Sequence, residues 1–177
     1  MEVQDNLEYS SNGCLVGWVK HGDKCFFLNR AKKNWNFAED TCSKFNVKFR
    51  YRESYINLNF LHFQGHLPSV PDAETHEFLK TLGEGLEREI WIGGYQQGNS
   101  DWLWSDGTQW NSNYQGWIPG EPNARGSKCI NMFVNEDHRW FDENCGNEYA
   151  FFCSAGEFSW RYVFTDTDRV HLSPSQM

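Results

Sequence analysis

Six cysteines, Cys14, Cys25, Cys42, Cys129, Cys145 and Cys153, constrain this chain more than any other feature. None forms a Cys-x-x-Cys pair, so a zinc ribbon or thioredoxin-like motif is not indicated. An even count at scattered spacings reads as three disulfides, which persist in oxidising compartments. The expectation is a secreted, extracellular protein. Residues Met1 to Ser10 are polar and acidic and do not read as a secretory leader, so secretion is inferred from the cysteines alone. Spacing does not choose among the many pairings that six cysteines admit.

A chain of 177 residues holds one domain with a real core, or one domain plus tails, and nine tryptophans supply much of its apolar matter. No apolar run approaches the roughly 18–20 residues of a membrane span. The net charge is −8 and no Lys/Arg cluster stands against it, which argues against nucleic acid as a partner.

Local pattern gives the organisation. Residues 1–13 read as a loose leader and 14–154 as the domain. Cys14 to Leu28 reads as a hairpin turning at Gly22-Asp23. Trp35, Ala38, Cys42 and Phe45 recur in steps of three and four, the spacing of one helix face, with Asn34 as cap. Asp72 caps a second helix, with Phe78, Leu79 and Leu82 on its buried side and Gly83 at its end. Ile90-Trp91-Ile92 reads as a buried strand stopped by Gly93-Gly94. Residues 96–128 form a long loop without periodicity, and loops of that length in compact domains are usually functional. Short strands follow at Cys129–Phe133, Arg139–Phe141 and Ala150–Cys153. Helices first and strands clustered later give an α+β class. The tail 155–177, with an aromatic patch at Phe158, Trp160, Tyr162 and Phe164, is expected to be peripheral.

Residues 47–64 (VKFRYRESYINLNFLHFQ) fit neither helical nor strand alternation. Val47-Lys48 is encodable as GTA-AAG, which resembles a splice donor, and Phe63-Gln64 as TTT-CAG, which resembles an acceptor. Two readings stand for this insertion: a translated retained intron, or an ordinary surface insertion.

Glu121-Pro122-Asn123 places a carboxylate and an amide on either side of a proline, a rigid pair of oxygen donors. Asp142 adds a second carboxylate near Cys145, while Phe141 before it has no donor. Hard cations such as calcium take roughly six to eight such oxygens. Tryptophans 102, 104, 110, 117 and 140 have rings suited to sugar faces, yet tryptophan more often serves as buried body. No catalytic set is apparent. His76-Glu77 lacks the second histidine of His-Glu-x-x-His, Lys80 standing in its place, and no Gly-x-Ser-x-Gly elbow occurs. The chain is not read as an enzyme.

These motifs together resemble the C-type lectin-like domain. They are the cysteine spacing, Trp91-Ile92-Gly93-Gly94, Trp104-Ser105-Asp106-Gly107, Trp117 with Pro119-Gly120, Glu121-Pro122-Asn123 and Trp140-x-Asp142-x-x-Cys145. The match runs from Cys14 to Cys153 apart from the insertion, and its texture is closest to soluble fish lectins and related venom lectins. The resemblance implies two helices, two small antiparallel sheets and a long ligand loop. It implies the bridges Cys14–Cys25, Cys42–Cys153 and Cys129–Cys145. It further implies a calcium-dependent sugar site built on a cis-proline, with Glu-Pro-Asn the version associated with mannose-type sugars. Glu121, Asn123 and Asp142 match that site as calcium and carbohydrate ligands. Ser127 and Lys128 stand where the family has a glutamate, and Phe141 stands where it has an asparagine. Glu143, Asn135 and Glu136 lie near in sequence as substitute donors. The expectation is a weak or lost calcium site in a protein that binds glycans or glycoproteins. The alternative is a calcium-independent module that binds protein or ice through the same loop.

Overall fold

Asn34 and Asp72 start two helices in the computed structural model, which describes residues 13–45, 47–48, 62–86, 88–98, 101–111, 113–123 and 128–156. Residues 1–12 of the expected leader, 49–61 of the insertion, Ser127 and the aromatic tail patch lie outside the described residues. Helix α1 spans Trp35–Ser43 and α2 spans Ala73–Leu82. The Asn34 side chain accepts from the Phe37 N–H at 3.0 Å, and Asp72 accepts from Thr75 N–H at 2.7 Å. Each cap satisfies a donor the helix cannot, worth about 1 kcal/mol. Helix α1 buries the expected Trp35, Ala38 and Cys42. Helix α2 buries Leu79, keeps Phe78 and Leu82 partly covered, and also buries His76.

Among the described residues nine strands follow: β1 (Val19–His21), β2 (Lys24–Lys33), β3 (Val47–Lys48), β4 (His62–Phe63), β5 (Glu89–Gln96), β6 (Leu103–Trp104), β7 (Lys128–Phe133), β8 (Arg139–Asn144) and β9 (Tyr149–Gly156). The expected hairpin turns at Gly22, where φ is +58°, into β2. Two antiparallel groups form as expected, β1-β2-β9 and β6-β5-β7-β8. A parallel pairing of β5 with β9, Ile90 opposite Ala150 and Trp91 opposite Phe151, joins them into one seven-stranded sheet. That junction is where the sheet differs from two separate small ones. The tie between α1 and the last strand by Cys42–Cys153 lies beside it.

One local expectation is corrected. Gly93-Gly94 does not stop β5, which runs on to Gln96. A Cβ at Gly93 would lie 2.4 Å from the Leu67 carbonyl oxygen, and one at Gly94 2.3 Å from Ile130 Cδ1. The glycines admit neighbouring backbone and side chain at a register shift in the β5–β7 pairing.

Strand alternation gives the sheet two buried faces. Trp91, Phe151 and Cys153 join Trp35, Ala38 and Trp18 on the α1 side. Ile90, Ile130, Met132 and Phe152 join Leu79 of α2 and Trp104 and Trp140 on the other. Trp102, Trp110, Trp117 and Tyr114 are partly buried against that second core. The tryptophans of the long loop therefore act mainly as packing. Trp104 stacks on Trp110 at 4.9 Å, and Trp117 meets Trp140 edge-on at 5.7 Å. A loop without periodicity is held by these rings together with short backbone pairings at β6 and at Trp117.

The disulfides are Cys14–Cys25, Cys42–Cys153 and Cys129–Cys145, with Cα separations of 5.6, 5.3 and 5.1 Å. By chain entropy the Cys42–Cys153 bridge, which closes 111 residues, stabilises by about 4–5 kcal/mol. The insertion ends are paired with one another, Val47 opposite Phe63 and Lys48 opposite His62, in a two-stranded stem separate from the main sheet. Among the described residues no helix is long and apolar enough to cross a membrane.

Candidate functional site

Strand β8 is the edge of the sheet, and the end of the long loop is hung on its outer side. Trp140 N–H donates to the Gly116 carbonyl at 2.8 Å, and Ile118 N–H donates to the Trp140 carbonyl at 3.2 Å. Gly120, with φ +98°, then turns the chain in a backbone region open mainly to glycine. Glu121 N–H closes the turn on the Ile118 carbonyl at 3.1 Å, and the Glu121–Pro122 peptide is cis.

This turn brings Glu121 and Asn123 against Asp142, as the sequence reading requires. The Asn123 backbone N–H donates to Asp142 Oδ1 at 2.7 Å and to Glu121 Oε2 at 3.1 Å. The Asn123 side-chain amide donates to Glu121 Oε1 at 2.7 Å. Asp142 is only 5% exposed. Partial burial and the neighbouring Asp142 carboxylate push the Glu121 carboxyl up to about 7. Two carboxylates side by side at a loop tip are a place of concentrated negative charge.

The missing donors are also explained. Register pairs Ile130 with Asp142 and Asn131 with Phe141, so Phe141 projects to the opposite face from Asp142. Its ring meets Phe133 edge-on at 5.4 Å. Lys128 shares the Asp142 face, one diagonal step away across β7 and β8. None of the substitute donors joins the tip. Glu143 lies on the Phe141 face and accepts from Asn147 Nδ2 at 3.1 Å. Asn135 and Glu136 sit in the 3-10 turn before β8, at the far end of the strand from Asp142.

Among the described residues no three His, Cys, Asp or Glu side chains converge in a metal-holding group. Two carboxylates and one amide supply fewer oxygens than the roughly six to eight of a tight calcium site. The donor set fits a weakly held divalent cation, because its paired carboxylates repel unless a proton or cation lies with them.

Sequence reading missed the parts that position the tip. Gly116 and the backbone of Trp140 carry the loop, and a lone glycine and a buried ring give no motif. Two histidines scattered in sequence, His76 and His138, are brought together beneath this loop, 62 positions apart.

Comparison with known proteins matches residues 62–155 to the family described as Lectin C-type domain. Lactose-binding lectin l-2 of Anguilla japonica is 34% identical over 153 residues, which is 83% of this chain and 81% of that protein. Ladderlectin of Oncorhynchus mykiss is 31% identical over 144 residues, 78% of this chain and 65% of that protein. Among solved structures, a calcium-independent type II antifreeze protein superposes with a TM-score of 0.64 at 26% identity. That alignment covers 85% of this chain and all of that one.

Proposed function

The chain belongs to the C-type lectin domain family, a non-enzymatic one, and on that premise we propose that it is an extracellular carbohydrate-recognition protein. Its recognition tip is Glu121, Asn123 and Asp142. The observation that carries this reading is the convergence of these three side chains at a cis-proline turn on an edge strand. Sugars offer neighbouring hydroxyls, each both donor and acceptor. The carboxylates accept from them, and the Asn123 amide offers a donor and an acceptor. Calcium, when bound, would be held by Glu121, Asn123 and Asp142, and it supplies direct coordination of sugar hydroxyls. With three protein side chains holding it, its affinity falls in the weak, roughly millimolar range of extracellular modules. The Glu-Pro-Asn order supports mannose-type sugars, and three disulfides support an extracellular location.

The test is retention on mannose and lactose resins in millimolar calcium, followed by chelator. Retention on mannose and elution by chelator is expected, with loss of binding in Glu121→Gln. No retention on either resin at any calcium concentration refutes carbohydrate recognition at this tip. A second reading is favoured by Phe141, which removes a donor, and by the likeness to a calcium-independent antifreeze protein. In that reading the same loop surface binds protein or ice without metal. Ligand capture unchanged by chelator, or ice-growth inhibition without calcium, selects it.

A further inference from the structure

Beneath the arm of the long loop that carries Glu121, α2 and the turn before β8 bury two histidines. His76 and His138 are each 6% exposed. His76 Nε2 donates to the His138 carbonyl at 2.8 Å, and Nδ1 meets the Tyr114 hydroxyl at 2.6 Å. A carbonyl only accepts, so the neutral ring carries its proton on Nε2 and takes the Tyr114 proton at Nδ1. His138 has both ring nitrogens buried with no hydrogen-bond partner. It follows Asp137 in a left-handed pair, φ 57° and 58°.

Tyr114 begins a continuous run of contacts to the tip. Gly116 lies against His76 and Trp140, where a Cβ would come within 2.8 Å of His76 Cε1 and 2.6 Å of the Trp140 ring. Gly116 and Ile118 hold Trp140 by backbone hydrogen bonds, Ile118 accepts from Glu121, and Asn123 donates to Asp142.

We propose that His76, Tyr114 and His138 form an acid-operated latch. Neutral, the buried pair lets His76 hold Tyr114 and the arm 114–123 on β8; protonated, the pair cannot stay buried and that arm is released with the Glu121–Asn123 tip.

The chemistry follows from donor counts. Protonated His76 has two donors, so the Tyr114 hydroxyl must turn its hydrogen elsewhere and accept instead, while protonated His138 brings two buried donors with no acceptor and a charge that burial disfavours. The new charge sits against the rings of Trp140 and Tyr114, 5.9 and 6.1 Å away. The charged and titratable groups around the pair are Glu77 and Lys80 of α2, Asp137 of the turn and Arg139 of β8. Asp72 at the start of α2 acts on Tyr114. Lys80 is already paired with Asp137 and Glu77, so neither carboxylate is uncommitted. Burial is the largest influence on both histidines and holds both below the ordinary 6.5. A depressed folded-state value means the latch contributes fully above about 6.5 and is lost as pH falls through that lower value.

Release of a bound sugar in acid rests on the function proposed above, but the latch is testable without any ligand. The full chain in chelator, with no sugar, is titrated from about pH 8 to pH 4.5. Histidine Cε1 NMR signals and amide hydrogen exchange of Ile118, Glu121 and Trp140 are followed. His76 and His138 are expected to titrate below about 6.5, and the amides to lose about tenfold protection with the same midpoint. In His76→Gln the amide can reproduce both roles of the neutral ring, so the acid transition shrinks to the His138 part while neutral-pH protection stays. If that variant does not fold, His138→Gln and the wild-type titration decide. Titration at an ordinary value with unchanged exchange overturns the latch. So does loss of the transition in Glu121→Gln, which would place the switch in the carboxylate pair. Failure to bind sugar resin at any pH refutes the sugar reading and leaves the latch standing.

Discussion

Replacing Glu121 by glutamine isolates the carboxylate pair at the loop tip. In the metal-free protein Glu121 ionises near 7 instead of 4.5, so the folded state holds this proton more tightly than the unfolded chain. The sign follows: stability is full below 4.5 and declines as pH rises through 7. At about 1.4 kcal/mol per decade the span sets a ceiling of ~3.5 kcal/mol. The carboxyl lies at the solvent-facing rim, where screening reduces such interactions, and about 1 kcal/mol remains. Glutamine keeps one of the two acceptors for Asn123 and can donate to Asp142, so it removes the repulsion without emptying the site. Glu121→Gln is therefore expected to match wild type near pH 4.5 and to exceed it at pH 8 in chelator. The difference is about 1 kcal/mol, or roughly 2–4 °C in Tm. Differential scanning calorimetry of both proteins across this range checks it. The histidines contribute equally to both proteins, so they cancel in the difference. A difference that does not change with pH refutes the reading that the two carboxylates repel. Millimolar calcium should reverse the order, because only wild type retains both charges that a cation neutralises.

Phe141→Asn restores the one amide the family has beside Asp142, and a roughly tenfold gain in calcium affinity, about 1.4 kcal/mol by calorimetric titration, is expected if that amide reaches the tip. No gain would mean that tip geometry, rather than the missing amide, limits binding. The same change should cost about 1 kcal/mol without calcium through loss of the Phe133 contact, read by chemical denaturation. Removing residues 47–64 and joining Asn46 to Gly65 should leave the fold and all three disulfides intact. Unfolding within about 1 kcal/mol of the full chain is expected, because Val47 and Phe63 already pair. Loss of cooperative unfolding would refute the reading of that segment as an excisable insertion. Gly116→Ala should destabilise by about 1–3 kcal/mol, because its Cβ would press into Trp140 and His76. A stability unchanged from wild type would show that the arm does not lie against β8.

The helices were legible because their signals are local: a cap residue, then apolar steps of three and four. The strand β6 was not, because two residues inside a loop become a strand only through pairing with Gly94 and Tyr95 across the sheet. Gly93-Gly94 reads locally as a stop, yet the close approach of Leu67 and Ile130 is what requires it. At the site, Glu121, Asn123 and Asp142 were legible because their residue types and order carry the chemistry. His76 and His138 were not, since nothing local links two histidines that only the α2–β8 packing brings together.

Strand alternation separates the residues that hold this fold from those that would set its affinity for a cation. Trp140 is fully buried in the α2-side core and fixes the loop by two backbone bonds. Asp142 shares its face and is held by Asn123. Phe141 lies between them on the opposite face, half-buried, with Phe133 as its aromatic neighbour. A change there alters this outer face without touching the core, the loop anchor or a disulfide. A change at Trp140 would disturb all of the loop packing, and one at Asp142 would free Asn123 and the cis-proline turn. The elements that specify the fold are thus coupled through Trp140, whereas the number of oxygens offered to a cation depends on side chains that little else needs. Family membership follows from the first set of residues. Under the proposed function the strength of calcium binding would depend on the second, so Phe141 and Lys128 weigh on that reading as much as the Glu121-Pro122-Asn123 tripeptide does.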